Sequence, residues 1–348
     1  MKKQKAGLSD IYITEMTVGC WTFGGGDYWG AQSQNDVNEV VNAALDAGVN
    51  TFDTAEVYND GSSERSLGVA LKGRRHEAVI ISKISPSNCR DVRKHCLASL
   101  QRLDTDYLDL YLLHWPINRL SVEHFTCDSN VITAPPTVED TFAQLAALKQ
   151  EGLIRSIGVS NFGCRQMQEV INTGIHPDVN EITYNIVSRA IEAEIAPFCV
   201  ANDISIIGSM GLQQGLLTGK YKSADEVPPH QAHSRHFAQE RGKGTSRHNE
   251  IGAEKEIFAV VDELRQLAAT LNVTPAELAI AWMLKKPFIA AALVGSRNIG
   301  QLKANIAACT LEISDHTESL IDRMSLPALA ALGNNPDYYE HTSKSRIY

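Results

Sequence analysis

Short apolar runs and amphipathic stretches alternate along the chain, and this pattern predicts strands and helices in rotation. Residues 17–23 read as a first strand ending in Gly24-Gly25-Gly26, and residues 36–47 as a helix with Val37, Val40, Val41 and Leu45 on one face. Residues 49–55, bounded by Gly48, form a second strand, after which Ser63 caps a helix running through Leu67 and Leu71. Residues 78–84 are a third strand, apolar on both faces except at Lys83, followed by a helix from Asn88 through Leu97, Leu100 and Leu103. Residues 107–115 make a fourth strand closed by Pro116, and residues 138–151 a helix that Gly152 ends.

The rhythm repeats in the second half. Strands are expected at 156–160, 179–185, 205–210 and 291–294, with helices at 163–173, about 191–201 and 298–309. Buried strands alternating with amphipathic helices imply a parallel sheet. Eight such pairs favour closure into a (β/α)8 TIM barrel, and no Gly-x-Gly-x-x-Gly follows any strand to support a doubly wound dinucleotide fold. The chain reads as one domain, with a barrel over about 17–311, an N-terminal extension at 1–16 and a C-terminal helix and tail at 312–348.

Two segments break the rhythm: residues 117–137 after the fourth strand and 220–256 after the seventh. As long loops on the carboxyl face of a barrel, they belong where function is usually placed. The second carries His230, His233, His236 and His248. A loop opening on Pro228-Pro229 offers no rigid helix to converge them, so the expectation is a solvated, mobile loop and no metal.

Composition narrows the function. A net charge of −9 gives no basic excess for nucleic acid or an acidic membrane surface. No run approaches the roughly 18 apolar residues of a membrane helix, and the N-terminus lacks an apolar secretory core. Seven scattered cysteines with no Cys-x-x-Cys pair suit reduced thiols, so a cytoplasmic protein is expected. Oligomeric state is not legible at this level.

The chemistry converges at the strand ends. Asp53 ends the second strand, Lys83 sits on the third, His114 ends the fourth and Tyr58 hangs in the loop after the second. A lysine on an apolar strand needs a partner, and Asp53 is the obvious one. Their pair is placed to lower the Tyr58 pKa from roughly 10 and make the phenol a proton donor and acceptor. His114 can hydrogen-bond a substrate oxygen. Tyr28, Trp29 and Trp115 lie where they can wall a pocket for an aldehyde, a ketone or a sugar-like polyol.

These residues sit in motifs. Asp53-Thr54-Ala55-x-x-Tyr58-x-x-Gly61-x-Ser63-Glu64 resembles the signature of the aldo-keto reductase superfamily. So do Leu112-Leu113-His114-Trp115-Pro116, Ile157-Gly158-Val159-Ser160-Asn161-Phe162 and Gly215-Leu216-Leu217-Thr218-Gly219-Lys220. Gly295-Ser296-Arg297-x-x-x-Gln301-Leu302-x-x-Asn305 completes a match that is closer to the bacterial branch and the potassium-channel β-subunits than to vertebrate aldose reductases. The resemblance implies carbonyl reduction with Tyr58 as general acid, tuned by Lys83 and Asp53, and with His114 positioning the carbonyl. It implies NADP(H) held extended. Ser160 and Asn161 would take the carboxamide, and Ser209, Met210, Gly211, Leu212 and Lys220 the ring and pyrophosphate. Ser296 and Arg297 would take the 2′-phosphate, and Gln301 and Asn305 the adenine end. Trp21 and Asp53 also border the cofactor, and Trp29 and Trp115 the substrate.

Two positions depart from the family pattern. Glu181 stands where a glutamine usually meets the carboxamide, and Ser209 where an aromatic ring often stacks. Two other readings stay open: a sugar or alcohol dehydrogenase running the site in the oxidising direction, and a cofactor-sensing, non-catalytic subunit.

Overall fold

The computed structural model describes residues 1–348. It opens with an antiparallel hairpin, β1 (Lys3–Lys5) and β2 (Tyr12–Thr14), paired Lys3 to Thr14. Ala6, Ile11 and Ile13 of this hairpin bury against Ile81, Leu110, Val179 and Ile207 inside the barrel strands. The Gly7 amide donates to Ser205 Oγ and the Leu8 amide to Asp178, so the hairpin plugs the amino end of the barrel. Gly7 has φ +54, and a Cβ there would collide with the Asp178 backbone. The N-terminal extension is therefore part of the fold.

In chain order come β3 (Met16–Gly19), α1 (Gln34–Asp46), β4 (Thr51–Asp53), α2 (Ser62–Ala70), β5 (Val79–Ile84) and α3 (Val92–Leu103). β6 (Leu108–Leu113), the short α4 (Arg119–Phe125) and α5 (Ser129–Thr133), α6 (Val138–Gln150), β7 (Ile154–Ser160) and α7 (Cys164–Asn172) follow. β8 (Val179–Thr183), α8 (Ile195–Ala201), β9 (Ser205–Ser209), α9 (Glu254–Thr270), α10 (Pro275–Lys285), β10 (Ile289–Gly295), α11 (Ile299–Cys309) and α12 (Asp315–Leu332) complete the chain. β3 to β10 close into a parallel eight-stranded barrel, with β10 pairing both β3 and β9. The (β/α)8 expectation holds.

Local chemistry explains the helices. Ser33 caps α1 by accepting from the Asp36 amide, and Val37, Val40, Val41, Ala44 and Leu45 bury its inner stripe. Thr274 and Glu277 form a reciprocal capping box on α10, with Pro275 in its first turn. Some expected boundaries move. Gly61, at φ 74, begins α2, while the Ser63 hydroxyl bonds the Cys20 carbonyl and Thr54 instead of capping. Asp91, not Asn88, caps α3, after a 3-10 turn at Pro86–Asp91. The helix expected near 191–201 splits into a 3-10 turn at Ala190–Glu192 and α8. α9 and α10, between the second long loop and β10, are further helices that the reading of the pattern did not place.

The second long loop is packed rather than solvated. Ser234, Arg235, His236, Phe237 and His248 are all buried. Arg235 holds Glu250 and the carbonyls of Leu332 and Asn335, which fastens the loop to the C-terminal tail. His236 bonds Ser188 and the Val187 carbonyl, His248 accepts from the Glu250 amide, and His230 and His233 both pack against the Tyr28 ring, so the four histidines do not converge. The tail itself seats on the barrel. Arg346 pairs with Asp337 in the interior, and a Cβ on Gly163 would collide with the Tyr348 backbone.

Candidate active site

Lys83 organises the carboxyl end of the barrel. Its ammonium lies 2.5 Å from Asp53 Oδ1, 3.1 Å from the Thr54 carbonyl, 3.3 Å from Tyr58 Oη and 3.3 Å from Glu181 Oε2. Asp53 and Lys83 come from the adjacent strands β4 and β5, but Glu181 reaches over from β8. Tyr58 is brought back onto this group by a tight turn: Asn59, Asp60 and Gly61 all have positive φ. The Asn59 amide locks that turn by donating to the carbonyls of Trp21 and Phe23.

The charges set the proton affinities. Burial works against the Lys83 ammonium, yet Asp53, Glu181 and Tyr58 together hold its pKa above that of an ordinary lysine. Burial raises the Tyr58 phenol; Lys83 pulls it back, Asp53 and Glu181 push it up again, and it ends above the ordinary value. The expected lowering of Tyr58 is thus reversed. The Lys–Asp pair contributes opposing charges, so burial of the hydroxyl, the largest influence, decides the direction. Glu181 itself is pushed well above the carboxylate range, by burial first and by Asp53 second. His114 is driven well below the usual imidazole range, by burial and then by Lys83 and His124, so its ring is neutral. That ring meets Tyr58 edge-on at 5.6 Å.

Of the residues assigned to the cofactor, Ser160, Asn161, Ser209 and Ser296 stand at or just after the ends of β7, β9 and β10. Ser160 lies in register with Glu181, and the Asn161 amide nitrogen donates to the Glu181 carbonyl. The Asn161 side chain bonds Ser160 Oγ and the His114 carbonyl, with its backbone in the left-handed region at φ 61. Ser209 ends β9, and Met210, Gln213 and Gln214 after it all have positive φ. Gly211 and Leu212 sit within this strained turn, a cluster of the kind that collects at functional sites. Lys220 is exposed, its ammonium 4.6 Å from the Tyr221 ring centroid. Ser296 is buried and accepts from the Asn305 amide, while Gln301 Oε1 takes the Arg297 backbone N–H.

Arg297 has no carboxylate partner. Its guanidinium donates to the carbonyls of Trp29 and Ala31 and to the Gln32 side chain. The loop after β3 is thereby strapped to the start of α11. Tyr28 of the same loop stacks on Trp21 at 5.1 Å and donates to Gln214, so the strap also reaches the turn after β9. Trp29 packs edge-on against Trp21. Trp115 falls elsewhere: Arg346 covers its ring at 3.6 Å, which makes it a floor for the C-terminal tail rather than an open wall. Phe125, His233 and Tyr339 continue the aromatic lining and were missed by the sequence reading. No local motif marks them; they arrive from α4, the second long loop and the tail.

A family model for the aldo/keto reductase family matches residues 15–325. The chain belongs to the aldo-keto reductase family. It is an oxidoreductase of a family that uses a nicotinamide cofactor. It is 31% identical to the NADH-specific methylglyoxal reductase of Escherichia coli, over 93% of this chain and 98% of that one. It is 28% identical to a probable voltage-gated potassium channel subunit beta of rice, covering 92% and 97% of the two chains. Among solved structures, an aldo/keto reductase from Klebsiella pneumoniae in complex with NADP and acetate superposes with a TM-score of 0.69 at 24% identity, over 93% and 96% of the chains.

The carboxyl face of this aldo-keto reductase is suited to such a cofactor. Buried polar atoms without hydrogen-bond partners occur there: His114 Nδ1, Trp29 Nε1 and Gln214 Nε2. Unmet groups of this kind are costly and point to a ligand that satisfies them. Arg297, un-neutralised beside a helix N-terminus, suits a phosphate, which competes well against neutral carbonyls.

Proposed function

We propose that the protein is an NADP(H)-dependent carbonyl reductase that converts an aldehyde or ketone to an alcohol, with Tyr58 as the general acid. The observation that carries this reading is the single Lys83 ammonium, held 2.5 Å from Asp53 and 3.3 Å from the Tyr58 oxygen. Ser160, Asn161 and the turn from Ser209 to Leu212 would hold the nicotinamide end, Lys220 the pyrophosphate and Ser296, Arg297, Gln301 and Asn305 the adenine nucleotide. When bound and reduced, the cofactor supplies the hydride that reaches the carbonyl carbon.

The chain's own residues do the rest. The neutral His114 imidazole can donate one N–H to the carbonyl oxygen and orient it without charging. Tyr58, with its pKa raised, stays protonated until alkoxide character develops on that oxygen, then gives its proton to complete the hydroxyl. The phenolate left behind faces Lys83, whose ammonium stabilises it, and Asp53 keeps that ammonium in place. Trp21, Tyr28 and Trp29 exclude water from one side. A phenol whose pKa lies above the ordinary value is protonated near neutral pH, so Tyr58 is present in the form that reduction requires.

Methylglyoxal, the substrate in the name of the Escherichia coli relative, heads the panel of test carbonyls. NADPH oxidation by wild type is compared with Tyr58→Phe across that panel. Turnover should fall by at least about 100-fold, the low end for a positioned acid, with NADPH affinity nearly unchanged. Wild type that binds NADPH yet turns over nothing in either direction would overturn the enzyme reading in favour of a cofactor-sensing subunit.

A further inference from the structure

Glu181 creates a charge imbalance that the fold does not relieve. Lys83, Asp53 and Glu181 are 0%, 1% and 4% exposed, and the one ammonium faces both carboxyls. Asp53 takes the 2.5 Å contact, and Glu181 the weaker one at 3.3 Å. The two carboxyls thus meet at one ammonium. Two carboxylates and one ammonium in a sealed space leave a net negative charge, which a proton shared between the acids removes. Asp53, closer to the ammonium, keeps its charge, so the proton belongs on Glu181, which then resembles a glutamine in charge and shape. Apart from that 3.3 Å contact with Lys83, Glu181 Oε2 makes no hydrogen bond.

Everything else packed against Glu181 is unable to compensate. Tyr58, from the loop after β4, is a neutral phenol. β7 contributes Ser160 and Asn161, and β9 contributes Ile207, none of which titrates. His114 on the far side of Lys83 is neutral, and Cys20 beside Asp53 is held as a thiol by burial. A second positive charge is the missing element. In the site as read above, one arrives only with the cofactor: the reduced nicotinamide ring is neutral, and the oxidised ring is a cation.

We infer that Glu181 distinguishes the two oxidation states of the cofactor, staying protonated beside the reduced ring and releasing its proton when the oxidised, cationic ring binds. This rests on the nicotinamide reading of the site. With the oxidised ring in place, two cations face two carboxylates and the charges balance. A glutamine at this position cannot respond in this way. The substitution therefore ties the relative affinity of oxidised and reduced cofactor to pH.

The test counts protons. Binding of NADP+ and of NADPH is followed by calorimetry in buffers of different ionisation enthalpy, and by tryptophan fluorescence, from about pH 6 to 9. NADP+ should bind with release of up to one proton and tighten by up to tenfold per pH unit across the titration, while NADPH affinity stays flat. Glu181→Gln should abolish both the proton release and the slope for NADP+ and leave NADPH binding in place. Tyr58→Phe should retain the release, which separates Glu181 from the phenol as its source. Release that is absent in wild type, or that survives in Glu181→Gln, overturns the inference. Failure of wild type to bind either nucleotide overturns the cofactor reading itself. Because the wild-type proton count stands alone, the inference stays testable should Glu181→Gln fold poorly.

Discussion

The two ends of the barrel each bury a charged cluster, with opposite arithmetic. At the amino end Asp109 of β6 accepts from Arg75, Arg155 and the Ile80 amide, at 2.8, 3.0 and 2.9 Å. Both guanidiniums stack on the Tyr107 ring, at 4.1 and 3.9 Å from its centroid. The surplus there is cationic, and it costs little because the Arg155 side chain is 55% exposed and hydrated. At the carboxyl end the surplus is a carboxyl, and water does not reach it. A charged cluster with every bond made and a route to solvent supports structure. A sealed cluster with one charge too many, surrounded by unpartnered polar atoms, stores free energy for a ligand.

Removing the central cation at the carboxyl end should break this contrast most sharply. Lys83→Met leaves buried carboxyls uncompensated and the phenolate unsupported. Turnover should drop by about 10²–10⁴ and unfolding free energy by about 3–5 kcal/mol, measured by steady-state kinetics and urea denaturation. Next in size is Arg297→Ala, at the proposed 2′-phosphate site. Loss of a charged hydrogen-bond donor to phosphate, worth about 1.5–3 kcal/mol, should weaken NADPH roughly 10- to 100-fold and leave NADH unchanged. Equal loss for both nucleotides would move the 2′-phosphate off Arg297.

Protons probe the same asymmetry. Burial, the largest influence on each, depresses His236 to about 3 and His233 and His124 to about 4, all on the carboxyl face. Below the ordinary value of 6.5 the unfolded chain takes up protons that the folded state refuses. Stability should therefore fall as pH drops from about 6.5 toward 4. For His236 alone the loss at pH 5 is about 2 kcal/mol. Thermal melts across pH 5–7 check the sign, and His236→Gln should blunt the slope. The smallest effect on turnover belongs to the amino end. Asp109→Asn should cost about 1–3 kcal/mol of stability and leave kcat within roughly twofold of wild type.

Much of the catalytic end was legible from local patterns. Asp53, Lys83 and His114 stand at or beside strand ends that hydrophobic periodicity places correctly, Tyr58 follows in the loop after Asp53, and a lysine on an apolar strand advertises its need for a partner. The second long loop was misread because its histidines and prolines look polar in sequence. Its burial depends on Arg235 finding the Leu332 and Asn335 carbonyls of the distant tail. The role of Trp115 was likewise invisible, since Arg346, which covers it, comes from the last residues of the chain.

The sequence by itself determined the alternation of strands and helices, the barrel they close into and the four polar residues at its mouth, because these follow from short-range periodicity and residue type. Tertiary structure alone decided that Glu181 meets Lys83 from across the barrel, that Arg297 is held by the Trp29 and Ala31 carbonyls, and that Tyr58 binds its proton more tightly than a free phenol. Proton affinity in a sealed space depends on the sum of charges brought there by every strand. No single stretch of sequence carries that sum.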